Sequence, residues 1–321
     1  MIDKETFFEE KKNYDTLGID IYHLEDTITD PGLKEIDELY VAADVLSIKN
    51  AQKHNFHLKL IAIIAPLITF LFLIYDEAEQ HLLIIVCIFL IVLLYIYYSN
   101  IEKEKCYEKY LEYRLLAEAL RVQYYLYKAK IKDSTIDLLP WFLKTGVPLI
   151  SDVFAELKLP DAEKKESILD CWIINQKNYH HNAISRTKST KKRNDKIEQV
   201  ILFCTIAVYI ATFIFEIYML IYHPYDISTA NSIRACLKIG IGTASVAALF
   251  SSNYYGKLSL SNKITDHERM EALYEKIERT ITANNGEEKE DAILFLAREF
   301  LIENSTWYAF QKKNDINFNV E

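Results

Sequence analysis

The chain has 321 residues, of which 50% are hydrophobic and 26% charged, with a formal net charge of −9. Its mean hydropathy of −0.02 would suit an ordinary two-domain soluble protein, yet that average conceals where the apolar residues lie. Seven glycines and six prolines leave little turn chemistry, which argues against a loop-rich β fold and for helices.

Residues 1–57 form an N-terminal region of net charge −7, in which a helix is predicted over 33–50 after the Pro31-Gly32 break. Residues 1–30 carry the weakest pattern. The first long apolar run follows at 58–75, opened by Lys59 and interrupted by Pro66, and a second spans 82–98. Crossing the hydrocarbon layer of a bilayer takes about 20 mostly apolar residues of helix. The two runs, separated by a short connection at 76–81, read as a transmembrane hairpin.

Residues 99–199 carry a net +4. Their first part, 101–130, continues the second span without Gly or Pro, and Tyr110, Tyr113, Leu116, Leu120, Tyr124 and Tyr127 recur at helical spacing. An unbroken amphipathic stalk is expected there. Short helices and turns should fill 134–160, and a helix should begin near Asp161 and lead back into the apolar runs. Those runs lie at 200–222 and 233–250, giving a second hairpin. The fourth run should extend through 270–283 until Asn284-Asn285-Gly286 ends it, and 290–310 should form a last amphipathic helix. The division is thus 1–57, hairpin 58–98, stalk and sensor segment 99–199, hairpin 200–250, and C-terminal helices 251–321, the part from 264 having a net charge of −6.

The hairpin connections 76–81 and 223–231 contain no Lys or Arg, whereas Lys49, Lys53, Lys103, Lys105, Lys109, Lys257, Lys263 and the run before the third span flank the other ends. By the positive-inside bias, both termini and the middle segment are expected on the cytoplasmic side. The N-terminus shows no apolar signal region, so the first span should act as its own insertion signal. The five cysteines are scattered without metal spacing, and neither a disulfide framework nor a zinc site is expected. No cofactor is expected either. No phosphate-cradling Gly-rich loop, GxSxG or HExxH occurs, so the sequence gives no reason to expect an enzyme.

Polar residues within the runs stand out. Glu216 lies in the third span, and Arg234 and Lys238 open the fourth. A charge at mid-bilayer costs roughly 2.5–3.5 kcal/mol, so these groups should face protein or water, as a pore wall, a gate-locking pair or a snorkelling pair. Gly240, Ala244 and Ala248 make a smooth ridge at four-residue spacing. It suits either tight packing within one chain or packing around an oligomer axis, where Thr243 and Ser245 would add small polar groups to a conduction path.

In the middle segment, Arg186, Lys188, Lys191, Lys192 and Arg193 form a basic run suited to anionic lipid head groups or to phosphate. Arg114 and Arg121, seven apart and therefore on one helix face, lie with Tyr124 in a pattern that suits phosphate and base contacts. Glu118 offers the alternative of a salt-bridged stalk. His54 and His57 are expected as solvated residues at the membrane interface, and His180 and His181 should point in different directions.

The segment Tyr113-Arg114-Leu115-Leu116-Ala117-Glu118-Ala119-Leu120-Arg121 resembles the YRxxAExLR signature of the SLATT-type bacterial membrane effectors. The two-hairpin plan is similar to their SMODS-associated four-transmembrane branch. Further matching positions are Trp172, Gln176 and Tyr179, then Glu268, Glu271 and Tyr274, then Ala297-Arg298-Glu299, Glu303-Asn304 and Trp307. The resemblance covers about residues 35 to 310. It implies an all-α integral protein of the bacterial inner membrane that acts as a pore-forming antiphage effector. Its pore would be controlled by a nucleotide or oligonucleotide second messenger from a partner nucleotidyltransferase. Four helices are too few to enclose a wide pore, so a homo-oligomer, taken as a tetramer, is expected. A small-solute transporter and a membrane-anchored scaffold are the other readings.

Overall fold

The computed structural model describes residues 2–77, 82–157, 167–222, 227–283 and 287–313. Among them the secondary structure is helical, with no strand. Helices α1 (Lys4–Lys11), α2 (Pro31–Glu77), α3 (Leu83–Glu104) and α4 (Cys106–Lys128) are followed by short α5 (Thr135–Leu138), α6 (Trp141–Gly146) and α7 (Pro148–Glu156). A π-helical turn over Leu169–Ile174 then leads into α8 (Asn175–Tyr222), α9 (Ile227–Lys257), α10 (Leu260–Ala283) and α11 (Glu287–Lys313). The expected helix start near Asp161 and the stop at Asn284-Asn285-Gly286 lie outside the described residues.

The chain divides into two compact units. One gathers residues 1–54, 105–185 and 263–321; the other gathers 55–104 and 186–262. The first therefore unites three segments that the sequence division treated as separate regions.

In the first unit α4 is the central helix and packs against α5, α7 and α11. Leu115, Leu116, Ala117, Ala119 and Leu120 are all buried, so the helix is enclosed on nearly every side. The N-terminus is fastened to it: the Ile2 amide donates to Glu112 Oε2 at 3.0 Å, and Phe7 packs on Tyr113 with ring centroids 5.6 Å apart. Asp30 caps α2 by accepting from the Gly32 and Leu33 amides at 2.8 and 3.1 Å, with Pro31 at the first helical position. Gly32 is required there, because a Cβ would stand 2.6 Å from Tyr127 Oη. At its other end α4 closes in a Schellman turn. Lys130 takes φ 58°, and the Ile131 amide reaches the Leu126 carbonyl at 2.9 Å.

The second unit contains the apolar runs. α2, α3, α8 and α9 are each long and apolar enough to cross a membrane. Large apolar side chains along them, including Ile85, Phe89, Phe203, Phe213 and Leu220, are exposed rather than packed into a core. Pro66 does not interrupt α2, which passes through it unbroken. α9 begins at Ile227, six residues before the predicted apolar start at 233.

Two expectations of unbroken stalks fail in the same way. α3 and α4 are separate helices, divided at Lys105 with φ 50°, and α9 and α10 are divided next to Ser259 with φ 48°. Neither residue is the glycine that normally marks such a left-handed position, so the sequence carried no warning. By contrast α2 (47 residues) and α8 (48 residues) are each a single unbroken helix. Each half of the chain thus repeats one plan: a long continuous helix, a second apolar helix, a left-handed joint and an amphipathic helix.

Candidate functional site

Arg114, Glu118 and Arg121 recur at four and three residues on α4, so they share one face. Glu118 is almost fully buried and serves both arginines: Oε1 lies 2.6 Å from Arg114 Nη2, and Oε2 lies 2.7 Å from Arg121 Nη1. The same face meets Tyr40 and Asp44, four apart on α2. Arg121 Nη2 donates to Tyr40 Oη at 2.7 Å with its guanidinium 5.2 Å from that ring's centroid, and Arg114 Nη1 is 3.5 Å from Asp44 Oδ1. The two cations and two carboxylates cancel, which is what makes burial of the set tolerable. Arg114 and Arg121 therefore take the salt-bridged arrangement. An incoming phosphate would have to displace Glu118 or Asp44, and only Arg114, one third exposed at its side chain, offers a route.

Around this network lie aromatic and titratable groups from the π-helical turn, α8, α10 and α11. Trp172, in the π-helical turn, stacks on Tyr125 at 4.9 Å and 8°. His180 places its Nδ1 3.0 Å from that of His267 and stacks on Tyr274 at 5.7 Å. Burial, followed by His267, Arg121 and Arg114, holds His180 down to about 3. On α11, burial together with nearby Asp266 and Glu118 pushes the Glu303 carboxyl up to about 7, despite Arg269 and Arg114. Arg121 Nε, Trp172 Nε1 and Tyr274 Oη are buried without a hydrogen-bond partner. The site is thus a desolvated, charge-balanced cluster with spare donors and one carboxyl that titrates near neutrality.

Tyr124 is fully buried and donates to Glu25 Oε2 at 3.1 Å, with Lys128 also bonded to Glu25. His180 and His181 do diverge, the latter meeting Glu271 Oε1 at 2.8 Å. His57 is a correction. It is buried rather than solvated, with Nδ1 2.5 Å from Tyr97 Oη, because the apolar helices carry that tyrosine beside it. The roles of Tyr40, Asp44 and His267 were missed. Their partners are remote in sequence, and only the four-residue spacing of Tyr40 and Asp44 hinted at a shared face.

Arg186, Lys188, Lys191, Lys192 and Arg193 belong to the second unit, as part of α8. Lys191 pairs with Asp195 at 2.7 Å, one turn along.

Within the apolar helices, Arg234 of α9 forms a two-pronged pair with Glu216 of α8, Nε to Oε1 at 2.7 Å and Nη2 to Oε2 at 2.9 Å. One turn along, Lys238 Nζ meets Glu77 Oε1 of α2 at 2.9 Å. The small-residue ridge is used inside the chain. A Cβ on Gly240 would stand 3.3 Å from Val208 Cγ1, one on Gly242 would stand 2.5 Å from Leu73 Cδ1, and the Ala244 carbonyl accepts from Thr205 Oγ1 at 3.3 Å. Ser245 Oγ lies 3.0 Å from Tyr209 Oη, and Thr243 Oγ1 is buried without a hydrogen-bond partner. No family model, no curated protein and no solved structure matches this chain.

Proposed function

We propose that this protein is a pore-forming effector of the bacterial inner membrane, with four spans in two hairpins and both termini cytoplasmic. A nucleotide or oligonucleotide signal from a partner nucleotidyltransferase controls the pore, in antiphage defence, as the resemblance to the SMODS-associated four-transmembrane effectors implies. The observation that carries the reading is the Glu216–Arg234 pair. It lies in helices otherwise long and apolar enough to cross a bilayer, where charged side chains mark ion paths more often than packing. The basic run from Arg186 to Arg193, directly before the third span, is the accessible phosphate-binding surface. The cluster around Glu118 is the element whose two arrangements a bound polyanion biases. Coupling runs through α2 and α8, the unbroken helices, rather than through the stalks after spans two and four.

Purified protein in liposomes tests this by ion flux measured with and without cyclic di- and trinucleotides and linear oligoadenylates. Flux that a nucleotide switches on or off supports the reading, and a stable membrane-embedded protein that never conducts contradicts it. A membrane-anchored scaffold is the second reading. It is favoured by Trp141 and Phe142, exposed side by side at the start of α6, as a docking point for a cytoplasmic partner.

A further inference from the structure

Two of the lysines that flank the apolar runs, Lys49 of α2 and Lys109 of α4, line a cavity of about 400 Å³ within the first unit. The N-terminal segment contributes Glu9 and Glu10 of α1, Asn13 just beyond it, and Leu17 at the end of a 3-10 turn. Small-molecule sites run from about 300 to 1,000 Å³, so the space suits a ligand of modest size.

Half of the charge around it is already matched. Lys109 Nζ holds Glu10 Oε1 at 2.6 Å, and Tyr113 Oη donates to Glu10 Oε2 at 3.3 Å, which makes this pair a fixed and neutral part of the wall. The other half is unmatched. Among the described residues, the Glu9 carboxylate, the Asn13 side-chain amide and the Lys49 ammonium form no hydrogen bond or ion pair within the chain. Glu9 and Lys49 line one cavity without pairing across it, the first exposed and the second half-buried.

These groups select a ligand by charge. A simple anion drawn to Lys49 would meet Glu9 and Glu10, and a simple cation drawn to Glu9 would meet Lys49 and Lys109. Like charges brought together in this way cost affinity. A molecule carrying both signs avoids either penalty. We propose that the cavity binds a small zwitterion, with its ammonium group at Glu9 and its carboxylate or phosphate at Lys49. The Asn13 amide both donates and accepts, so it can bond to either end. A ligand held in this way fastens α1 to α2 and stabilises the folded chain by mass action. The site belongs to the first unit and the basic run to the second, so this goes beyond the function proposed above.

Isothermal titration calorimetry of the full-length protein in detergent tests the site. The probes are phosphoethanolamine and γ-aminobutyrate, compared at constant ionic strength with ethylamine, methyl phosphate and butyrate, which carry one charged end each. A zwitterion should bind about tenfold or more tightly than any single-ended probe and should raise the melting temperature. Glu9→Gln and Lys49→Met should each weaken its binding by about tenfold or more, whereas Lys12→Met, exposed and outside the cavity, should not. Without ligand, both cavity variants should melt with the parent, because neither side chain has a partner to lose. Binding of one zwitterion alone supports the site and identifies its acidic group. No binding of either zwitterion up to about 10 mM, equal binding of single-ended probes, or unchanged binding in both cavity variants would overturn the inference.

Discussion

Glu118 accepts from Arg121 at 2.7 Å while its other oxygen holds Arg114 at 2.6 Å, so one buried carboxylate neutralises two guanidinium groups on the same helix. Removing it strands both charges. Breaking a buried pair by deleting one partner costs about 3–5 kcal/mol. Glu118→Ala is therefore expected to lower stability by about that amount, and Glu118→Gln by less because it keeps an acceptor. Chemical denaturation in detergent, followed by helical circular dichroism, measures both. Equal stability of Glu118→Ala and the parent would show that the network contributes nothing.

Two groups in the same cluster set opposite pH slopes. Glu303 has its pKa raised from 4.5 to about 7, chiefly by burial, so the folded state keeps a proton that the unfolded state loses. Its stabilisation is complete below pH 4.5 and is lost as pH rises to about 7. His180 is lowered from 6.5 to about 3, again chiefly by burial, so its stabilisation is complete above pH 6.5 and is lost as pH falls towards 3. The slopes oppose each other between 4.5 and 6.5, giving a plateau there. Glu303→Gln should remove the loss on the alkaline side, a gain of no more than about 3 kcal/mol at pH 8 relative to pH 5. Denaturation midpoints from pH 4 to 9 read this out. A parent-like profile in Glu303→Gln would show that another group titrates.

Trp172 is completely buried against Tyr125. Large aromatic-to-alanine changes in a core cost about 3–5 kcal/mol. Trp172→Ala should lower stability by that much and Trp172→Phe by clearly less, since the ring can still stack. Thermal unfolding of the two variants compares them directly, and equal losses would mean that stacking is irrelevant.

Lys105 and Ser259 hold left-handed backbone at φ 50° and 48°. An L-residue in that conformation costs about 1–2 kcal/mol, which glycine avoids. Lys105→Gly and Ser259→Gly should therefore leave stability unchanged or raise it by up to about 1 kcal/mol, whereas Ser259→Val should lower it by more than 1 kcal/mol. Melting temperatures decide this. A marked loss in the glycine variants would mean that the joints do not have this geometry.

The apolar helices were readable in the sequence because each mostly apolar run approaches the length that crosses a bilayer. The Arg114–Glu118–Arg121 pairing was readable as a possibility from its three- and four-residue spacings. Its partners were not: Asp44 is 70 positions from Arg114 and Tyr40 is 81 from Arg121, and local periodicity carries no record of such contacts. Burial of His57 depended on Tyr97, 40 residues away. The joints at Lys105 and Ser259 were invisible for another reason, since neither is a residue type that favours left-handed backbone. Pro66 stands inside a run read as one helical span, and α2 passes through it unbroken.

Whether α2, α3, α8 and α9 are surrounded by lipid is tested most directly by extracting membranes from expressing cells with alkaline carbonate. The full-length protein should remain wholly in the membrane pellet and enter solution only with detergent. Release into the carbonate supernatant, as a species that stays monodisperse in plain buffer, would contradict it.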